Sequence, residues 1–193
     1  MISPGARLMA NVKGTAFSSR LLWVRLNHGQ EGLERLAAAV EPGLAELLRE
    51  GAVMSKWYPF EQFVELNLAI DRMYGRGDLS LIKNLGRHGA DANLTTIYRL
   101  FYKVGTVKWI LARASRLWGL HYDSGTLHID LYPGREVGLR IEKFDTPHPA
   151  HCLAVLGWAE RSIELSGGRE VSVSEVACRT RGDAACRFRA SWR

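Results

Sequence analysis

Long apolar runs are missing from this sequence of 193 residues. No stretch of about 18 uninterrupted apolar residues is available to cross a membrane, and the first residues lack the basic-then-apolar order of a secretory signal. Internal repeats, low-complexity tracts and linkers are absent as well. The sequence therefore predicts one cytoplasmic domain over residues 1–193, with a flexible N-terminus at 1–14, a helical part at 15–118 and a sheet-containing part at 119–193.

The motifs of common enzyme classes are also missing. The sequence contains no GxSxG, no HExxH and no glycine loop of the kind that binds phosphate. It has no close pair of carboxylates with a clear division into acid and base. We therefore expect a protein that is not an enzyme.

Cysteine is scarce, with three residues in the whole chain. Disulfide pairing would leave one thiol over, so a disulfide framework is the least favoured use of them. In a reducing compartment, three thiols indicate either metal ligation or simple burial.

Positive charge exceeds negative charge, and the excess is local. Residues 179–193 carry five arginines and one aspartate, a net +4 of the formal +6. Arg187 and Arg189 alternate with Cys186 and Phe188, which is the pattern of a strand with one solvent-facing side. No exposed aromatic residues are interleaved with these arginines, so the charge does not predict nucleic-acid binding.

Apolar residues in the first part of the chain have helical spacing. Apolar residues recur at three- and four-residue intervals from about residue 15 to residue 118. Gly86 and Gly89 indicate either close packing or a break in one helix. Proline, aspartate and glycine mark the other predicted boundaries, at Pro42, Gly51, Pro59, Gly75 and Asp78.

The chain continues with alternating spacing, which predicts strands. We expect an α/β (α+β) fold in which the N-terminal helices pack on a C-terminal antiparallel sheet. The predicted elements are a hairpin of 126–131 and 137–141, a helix over 150–166, and a second hairpin of 170–178 and 185–192.

Three thiols and one carboxylate near the end of the chain form a candidate metal site. A hairpin places Cys178 opposite Cys186, and Cys152 falls in the first turn of the preceding helix, where the positive helix end favours a thiolate. Glu175 faces the opposite side of a regular strand, so it joins the thiols only if a bulge intervenes.

Zinc suits such a set because thiolate and carboxylate ligands neutralise its charge and its filled d shell imposes no other geometry. Four protein ligands would close the site and make the ion structural. The alternative is that the cysteines are small hydrophobic residues of the core, since free cysteine is among the most buried residue types. Spacing alone leaves both possibilities open.

The run from Glu175 through Cys178 and Cys186 to Phe188, with Cys152 upstream, resembles the end of the 4-vinyl reductase domain. Sensory domains of phenol-responsive bacterial activators belong to this family, and their matching residues bind a structural zinc. The resemblance therefore implies Cys152, Glu175, Cys178 and Cys186 as zinc ligands.

The resemblance is strongest over 145–192. It implies a fold related to the vesicle-tethering TRAPP subunits, with helices packed on an antiparallel sheet, and a protein that is commonly dimeric. The predicted order of helices and strands agrees with this fold.

Aromatic side chains are candidates for a ligand pocket or an interface. Trp118 lies on a predicted core stripe, where packing is the ordinary role. Tyr102 and Trp109 lie off the stripes, so they need a second helix, a partner subunit or a ligand as a neighbour. His121 and Tyr122 follow Trp118 closely, and the histidine could bind a phenol-like or carboxylate group or be structural.

Three functions follow from these features and from the resemblance to the 4-vinyl reductase domain. The first is a zinc-stabilised binding module that senses or carries a small hydrophobic or aromatic molecule and signals through a partner protein, because no DNA-binding or ATPase segment is present. The alternative is a homodimeric TRAPP-like scaffold for protein interactions. The third is a reductase of tetrapyrrole vinyl groups, for which the sequence shows no cofactor site.

Overall fold

The computed structural model describes residues 9–97, 107–108 and 114–193. Helices dominate the first part of the chain, and they pack on an antiparallel sheet formed by the second part. The predicted α/β (α+β) class is therefore confirmed. The helices are α1 (Gly14–Ala38), α2 (Pro42–Glu50), α3 (Phe60–Tyr74), α4 (Ser80–Ile97), α5 (Ala114–His121) and α6 (Pro149–Leu165). None of these helices is long and apolar enough to cross a membrane.

Proline and glycine set the helix boundaries. α2 begins at Pro42, whose fixed φ suits the first turn of a helix. α3 begins directly after Pro59 and ends before Gly75. α1 is kinked at Gly29, where a φ of 68° requires a left-handed backbone that glycine adopts without steric cost.

A short two-stranded sheet has no counterpart in the sequence predictions. β1 (Asn11–Lys13) pairs antiparallel with β2 (Trp57–Pro59), and Val12 is fully buried. The sequence assigns 1–14 to a flexible N-terminus, whereas the structure places 11–13 in this sheet; residues 1–8 lie outside the described ranges. Strands of three residues are too short to show an alternating pattern.

The main sheet is antiparallel throughout, with the strand order β3-β4-β6-β5. Along β6, Cys186, Phe188 and Ala190 are buried while Arg187 and Arg189 are exposed, so two of the C-terminal arginines occupy the solvent side of the sheet. The strands are β3 (Thr126–Leu131), β4 (Glu136–Glu142), β5 (Ser172–Ala177) and β6 (Cys186–Ser191).

Two glycines bring α4 and α6 into backbone contact. A Cβ atom at Gly86 would lie 2.1 Å from the carbonyl oxygen of Ala154, and one at Gly157 would lie 1.9 Å from that of Lys83. These distances are far inside van der Waals contact, so neither position accepts a side chain in this packing. α4 continues through Gly86 without a break, so this glycine serves close packing.

Candidate functional site

A partly open cavity of about 70 Å³ lies between the helices and the inner face of the main sheet. Its walls are mostly apolar and include Leu127 and Leu139 from the strands. Three side chains of different polar chemistry also line it: Arg20 on α1, His121 at the end of α5, and Tyr122 directly after it. Such a combination of apolar walls and a few polar groups is typical of small-molecule sites.

Neighbouring polar atoms hold Arg20 in the cavity wall. Its Nε donates to Oδ1 of Asn67 at 2.9 Å, and its Nη1 donates to Oγ of Ser19 at 3.1 Å. The Ser19 hydroxyl donates to the carbonyl of Ala16, and Nδ2 of Asn67 donates to a carbonyl on α3. The guanidinium also lies over the ring of Phe63, 5.0 Å from its centroid. These contacts orient the guanidinium without neutralising its charge.

The charge of Arg20 has no carboxylate partner. All 20 Asp and Glu residues lie within the described ranges, and none of them contributes to the pKa of Arg20. The residue is 4% exposed, and burial lowers its pKa to about 10, so it is charged at neutral pH. Removing an isolated charge from water is costly, so an unpaired buried cation calls for an explanation.

His121 is held as one tautomer. Its Nδ1 lies 3.0 Å from the carbonyl oxygen of Leu117, one helical turn earlier, and donates a proton to it. Burial lowers the pKa of His121, so the ring is neutral at pH 7. Nε2 then carries a lone pair that can accept a hydrogen bond or bind a metal ion.

α5 connects the cavity to the small sheet. Trp118 packs against Tyr122 with ring centroids 4.4 Å apart, and its Nε1 donates to the carbonyl of Ser124 at 3.0 Å. Asp123 accepts hydrogen bonds from the backbone and side-chain nitrogens of Asn11, at 2.6 Å and 2.7 Å. A movement of α5 at the cavity would therefore also displace β1.

Three buried thiols form a separate cluster between the start of α6 and the β5–β6 hairpin. Sγ of Cys152 lies 3.7 Å from that of Cys178 and 3.6 Å from that of Cys186, and the three sulfur atoms lie within 4.8 Å of one another. The hydrogen bond from Cys152 lowers the pKa of Cys186 to about 6 and raises the pKa of Cys152. The backbone N–H of Arg179 also donates to Cys186, at 3.5 Å. The cluster therefore has hydrogen bonds of its own.

A bulge lies next to Glu175, whose carboxylate is close to Cys152 but lies outside the group of three sulfur atoms that are within 4.8 Å of one another. The β5–β6 register shifts between Glu175 and Ala177, which is the irregularity that the metal-site prediction required. Oε2 of Glu175 accepts from Arg181 at 2.7 Å, while its buried Oε1 has no hydrogen-bond partner in the described part of the chain. That Glu175 and the three thiols together bind an ion stays a prediction.

We expect the three thiols to be unreactive in the folded protein. Cys152, Cys178 and Cys186 are 3%, 1% and 4% exposed, so a reagent cannot approach them, even though Cys186 has a lowered pKa. A chromogenic disulfide reagent should therefore react slowly with native protein and rapidly with all three thiols in denaturant. Rapid reaction of any thiol before unfolding would contradict this expectation.

The structure brings together three of the five predicted pocket or interface residues. Trp118, His121 and Tyr122 all line the cavity. Tyr102 and Trp109 lie outside the described residues. A ligand role for any of the five stays a prediction.

Arg20 is the site residue that the sequence analysis missed. It follows Ala16 by four residues and Phe17 by three, and precedes Val24 by four, so it lies on the buried stripe of α1. A charged residue within an apolar stripe is the signal that could have identified it.

Comparison with known proteins points to one fold. No family model matches the sequence, and no curated protein is similar to it. An H-NOX protein from S. oneidensis in the Fe(II)NO ligation state has a TM-score of 0.73 at 14% identity, covering 94% of this chain and 99% of that one. The chain has the H-NOX fold.

Two further solved structures support this assignment. An unliganded Fe(II) H-NOX protein variant from K. algicida has a TM-score of 0.70 at 13% identity, with 94% of this chain and 96% of that chain covered. An oxygen-binding H-NOX domain related to soluble guanylate cyclases has a TM-score of 0.70 at 12% identity, with 94% and 95% covered.

These similarities correct five predictions. The assignment to the 4-vinyl reductase domain, with its TRAPP and phenol-sensor relatives, was wrong, because H-NOX structures match nearly the whole chain. Zinc as the structural cofactor was wrong, because the neighbours are iron and haem proteins. The zinc-stabilised module, the homodimeric TRAPP-like scaffold and the tetrapyrrole reductase were therefore wrong as functions. The zinc prediction relied on cysteine spacing, which is a weak signal for metal because thiols can also hydrogen-bond one another in a core.

Haem is the cofactor that the fold suggests, since one H-NOX neighbour (TM-score 0.71, 12% identity) concerns haem distortion. His121 suits an axial ligand, because its Nδ1 donates to a carbonyl and leaves Nε2 for iron. The cavity does not suit a porphyrin: it measures about 70 Å³, and drug-sized ligands need about 300–1,000 Å³. Gly86 and Ala154 line it where α4 and α6 already touch, so this wall is fixed by helix packing. The described residues of the cavity therefore do not fit a haem.

Proposed function

We propose that this chain is a sensor domain that binds a small ligand in the cavity and passes the binding event to a partner protein. The observation that carries this function is the preformed cavity with Arg20, His121 and Tyr122 in its wall. The H-NOX fold supports it, because neighbours of that fold were captured with oxygen or in an NO-ligated state. Sensing also agrees with the absence of a catalytic motif from the sequence.

The signal would leave the cavity through α5. Tyr122 lines the cavity and also pairs with Val12 in a backbone bridge, and Asp123 bonds to Asn11 on β1. A ligand that moves Tyr122 would therefore displace β1 and present a changed surface to the partner. The homodimer and the cytoplasmic location stay predictions.

Amide NMR spectra recorded with a library of small acids, amides and alcohols test this function. We expect at least one compound to cause saturable shifts in α5 and β1. Val155→Phe should abolish these shifts because the larger ring fills the cavity. Leu120→Phe is the control, because Leu120 is exposed on α5 and the new ring stays outside the cavity. The function is wrong if no compound shifts these residues, or if Val155→Phe leaves the shifts intact.

Haem-based gas sensing is the alternative that the fold and the tautomer of His121 suggest, and the size of the cavity opposes it. Because the cavity is too small for a porphyrin, we expect added hemin to give no Soret band that depends on this histidine. Wild type and His121→Ala should give the same absorption spectrum in a hemin titration. A sharp Soret band that is lost in His121→Ala would favour the haem sensor instead.

A further inference from the structure

We propose that the ligand of this cavity is a small organic anion, whose carboxylate pairs with Arg20 and whose short apolar part contacts Leu127, Leu139 and Val155. This inference rests on the proposed function, because it names the chemical class of the cavity ligand.

The guanidinium of Arg20 has no anionic partner within the protein. Two nitrogens of Arg20 donate to neutral oxygens, on Asn67 and Ser19, and no carboxylate of the chain neutralises the guanidinium. A guanidinium binds carboxylates strongly because its planar N–H groups match the two oxygens. An anion that enters the cavity would therefore pair with Arg20, which no carboxylate of the protein does.

The charge of the cavity wall is positive. Arg20 is the only Lys, Arg, Asp or Glu among the described residues that line it. The other titratable groups there are uncharged at neutral pH, since burial lowers the pKa of His121 and raises the pKa of Tyr122. The described residues of the cavity wall therefore carry a single positive charge, which attracts anions and repels cations.

The size and polarity of the cavity restrict the kind of anion that fits it. A volume of about 70 Å³ corresponds to roughly five to seven water molecules at about 10–15 Å³ each. Leu127, Leu139 and Val155 line the same cavity as Arg20 and offer apolar contacts there. These dimensions favour a short-chain carboxylate over a polyanion, which would leave further charges without partners.

Calorimetric titration with sodium butyrate tests the inference, with butyramide as the uncharged molecule of matching shape. We expect butyrate to bind wild type and butyramide to bind much more weakly. Arg20→Met should raise the Kd for butyrate roughly tenfold or more, because a charge-assisted hydrogen bond is lost. Arg25→Met is the matched control, since Arg25 is an exposed arginine on the same helix and its loss should leave the Kd unchanged.

A second variant keeps Arg20 in place. Asn67→Asp puts a carboxylate where the amide oxygen now lies, 2.9 Å from Nε of Arg20. This internal anion should neutralise the guanidinium and raise the Kd for butyrate. Because the amide of Asn67 also donates to the carbonyl of Phe63, the melting temperature of the variant is measured alongside the Kd. Weakened binding in a fully folded variant would separate loss of the charge from loss of the fold.

The outcomes separate this inference from the proposed function. Butyramide that binds as tightly as butyrate, or an Arg20→Met protein that binds butyrate as wild type does, would overturn the anion and leave the cavity as a ligand site. Nitrate that competes with butyrate at equal affinity would overturn the organic class. No binding of any of these probes would also overturn the inference, and the library spectra would then decide whether the cavity binds ligands at all.

Discussion

Gly157→Ala is expected to lower the free energy of unfolding by about 4 kcal/mol or more. The added methyl group would lie 1.9 Å from the carbonyl oxygen of Lys83, and it meets backbone rather than a side chain that could rotate away. α4 and α6 would have to separate, and that separation would open the cavity wall at Gly86 and Ala154. Urea denaturation, read as the transition midpoint and slope, measures the loss.

Two further alanine variants test the cause. Gly86→Ala places its methyl group 2.1 Å from the carbonyl oxygen of Ala154, so it should destabilise the protein by a similar amount. Gly119→Ala is the matched control, because a Cβ atom there meets nothing within 4 Å. It should stabilise α5 by about 0.5–1 kcal/mol through helix propensity. Equal, small effects at all three positions would show that the helices are not in close contact.

Local sequence signals predicted where helices begin and end better than they predicted which helices contact each other. Pro59 identified a helix start, and Pro42 indicated a possible break in an apolar stripe, because the proline ring fixes φ wherever it occurs. Gly86 was ambiguous, since a helical glycine indicates a break or close packing according to what lies opposite. The deciding neighbour, Ala154, is 68 residues away in the sequence. Contacts of that kind cannot be read from local spacing.

The candidate site shows the same division. The proximity of Cys178 and Cys186 follows from a hairpin, which is a local feature. Residues from five helices and two strands line the cavity, and no motif in the sequence predicts that these elements come together. The sequence places Arg20 on the apolar stripe of α1, but only the fold shows that no carboxylate lies near its guanidinium.

Family assignment failed for a related reason. The resemblance relied on a few cysteines and glycines near the end of the chain, which are short-range features shared by many hairpins. The H-NOX fold is matched at 12–14% identity in the solved structures described above, so few residues are shared along the sequence. Similarity in three dimensions survives because many apolar combinations can fill the same core.

His151 is expected to make the protein less stable as the pH falls below neutrality. The side chain is 4% exposed and lies among four aromatic rings, with Phe144 and Phe60 at centroid distances of 4.9 Å and 5.0 Å and with Trp118 and Tyr122 nearby. Its Nε2 has no hydrogen-bond partner within the described residues. Protonation would therefore place a charge in an apolar cage.

The sign of the effect follows from the two pKa values. Burial first, and the charges of His148 and Arg20 second, lower the pKa of His151 from 6.5 to about 3. Between these values the unfolded chain holds a proton that the folded chain does not, so stability falls as the pH falls through this range. From pH 7 to pH 5 this group alone should cost about 2 kcal/mol.

His151→Phe tests this because it keeps a ring in the cage and removes both the titrating group and the unsatisfied nitrogen. We expect the loss of stability between pH 7 and pH 5 to be about 2 kcal/mol smaller than in wild type. Phe144→Leu is the control: it removes packing from the same cage without a titrating group, so it should lower stability about equally at both pH values. Urea denaturation of the three proteins at each pH measures the difference. Parallel losses in wild type and His151→Phe would show that the cage tolerates an imidazolium, and that the acid sensitivity of the fold arises elsewhere.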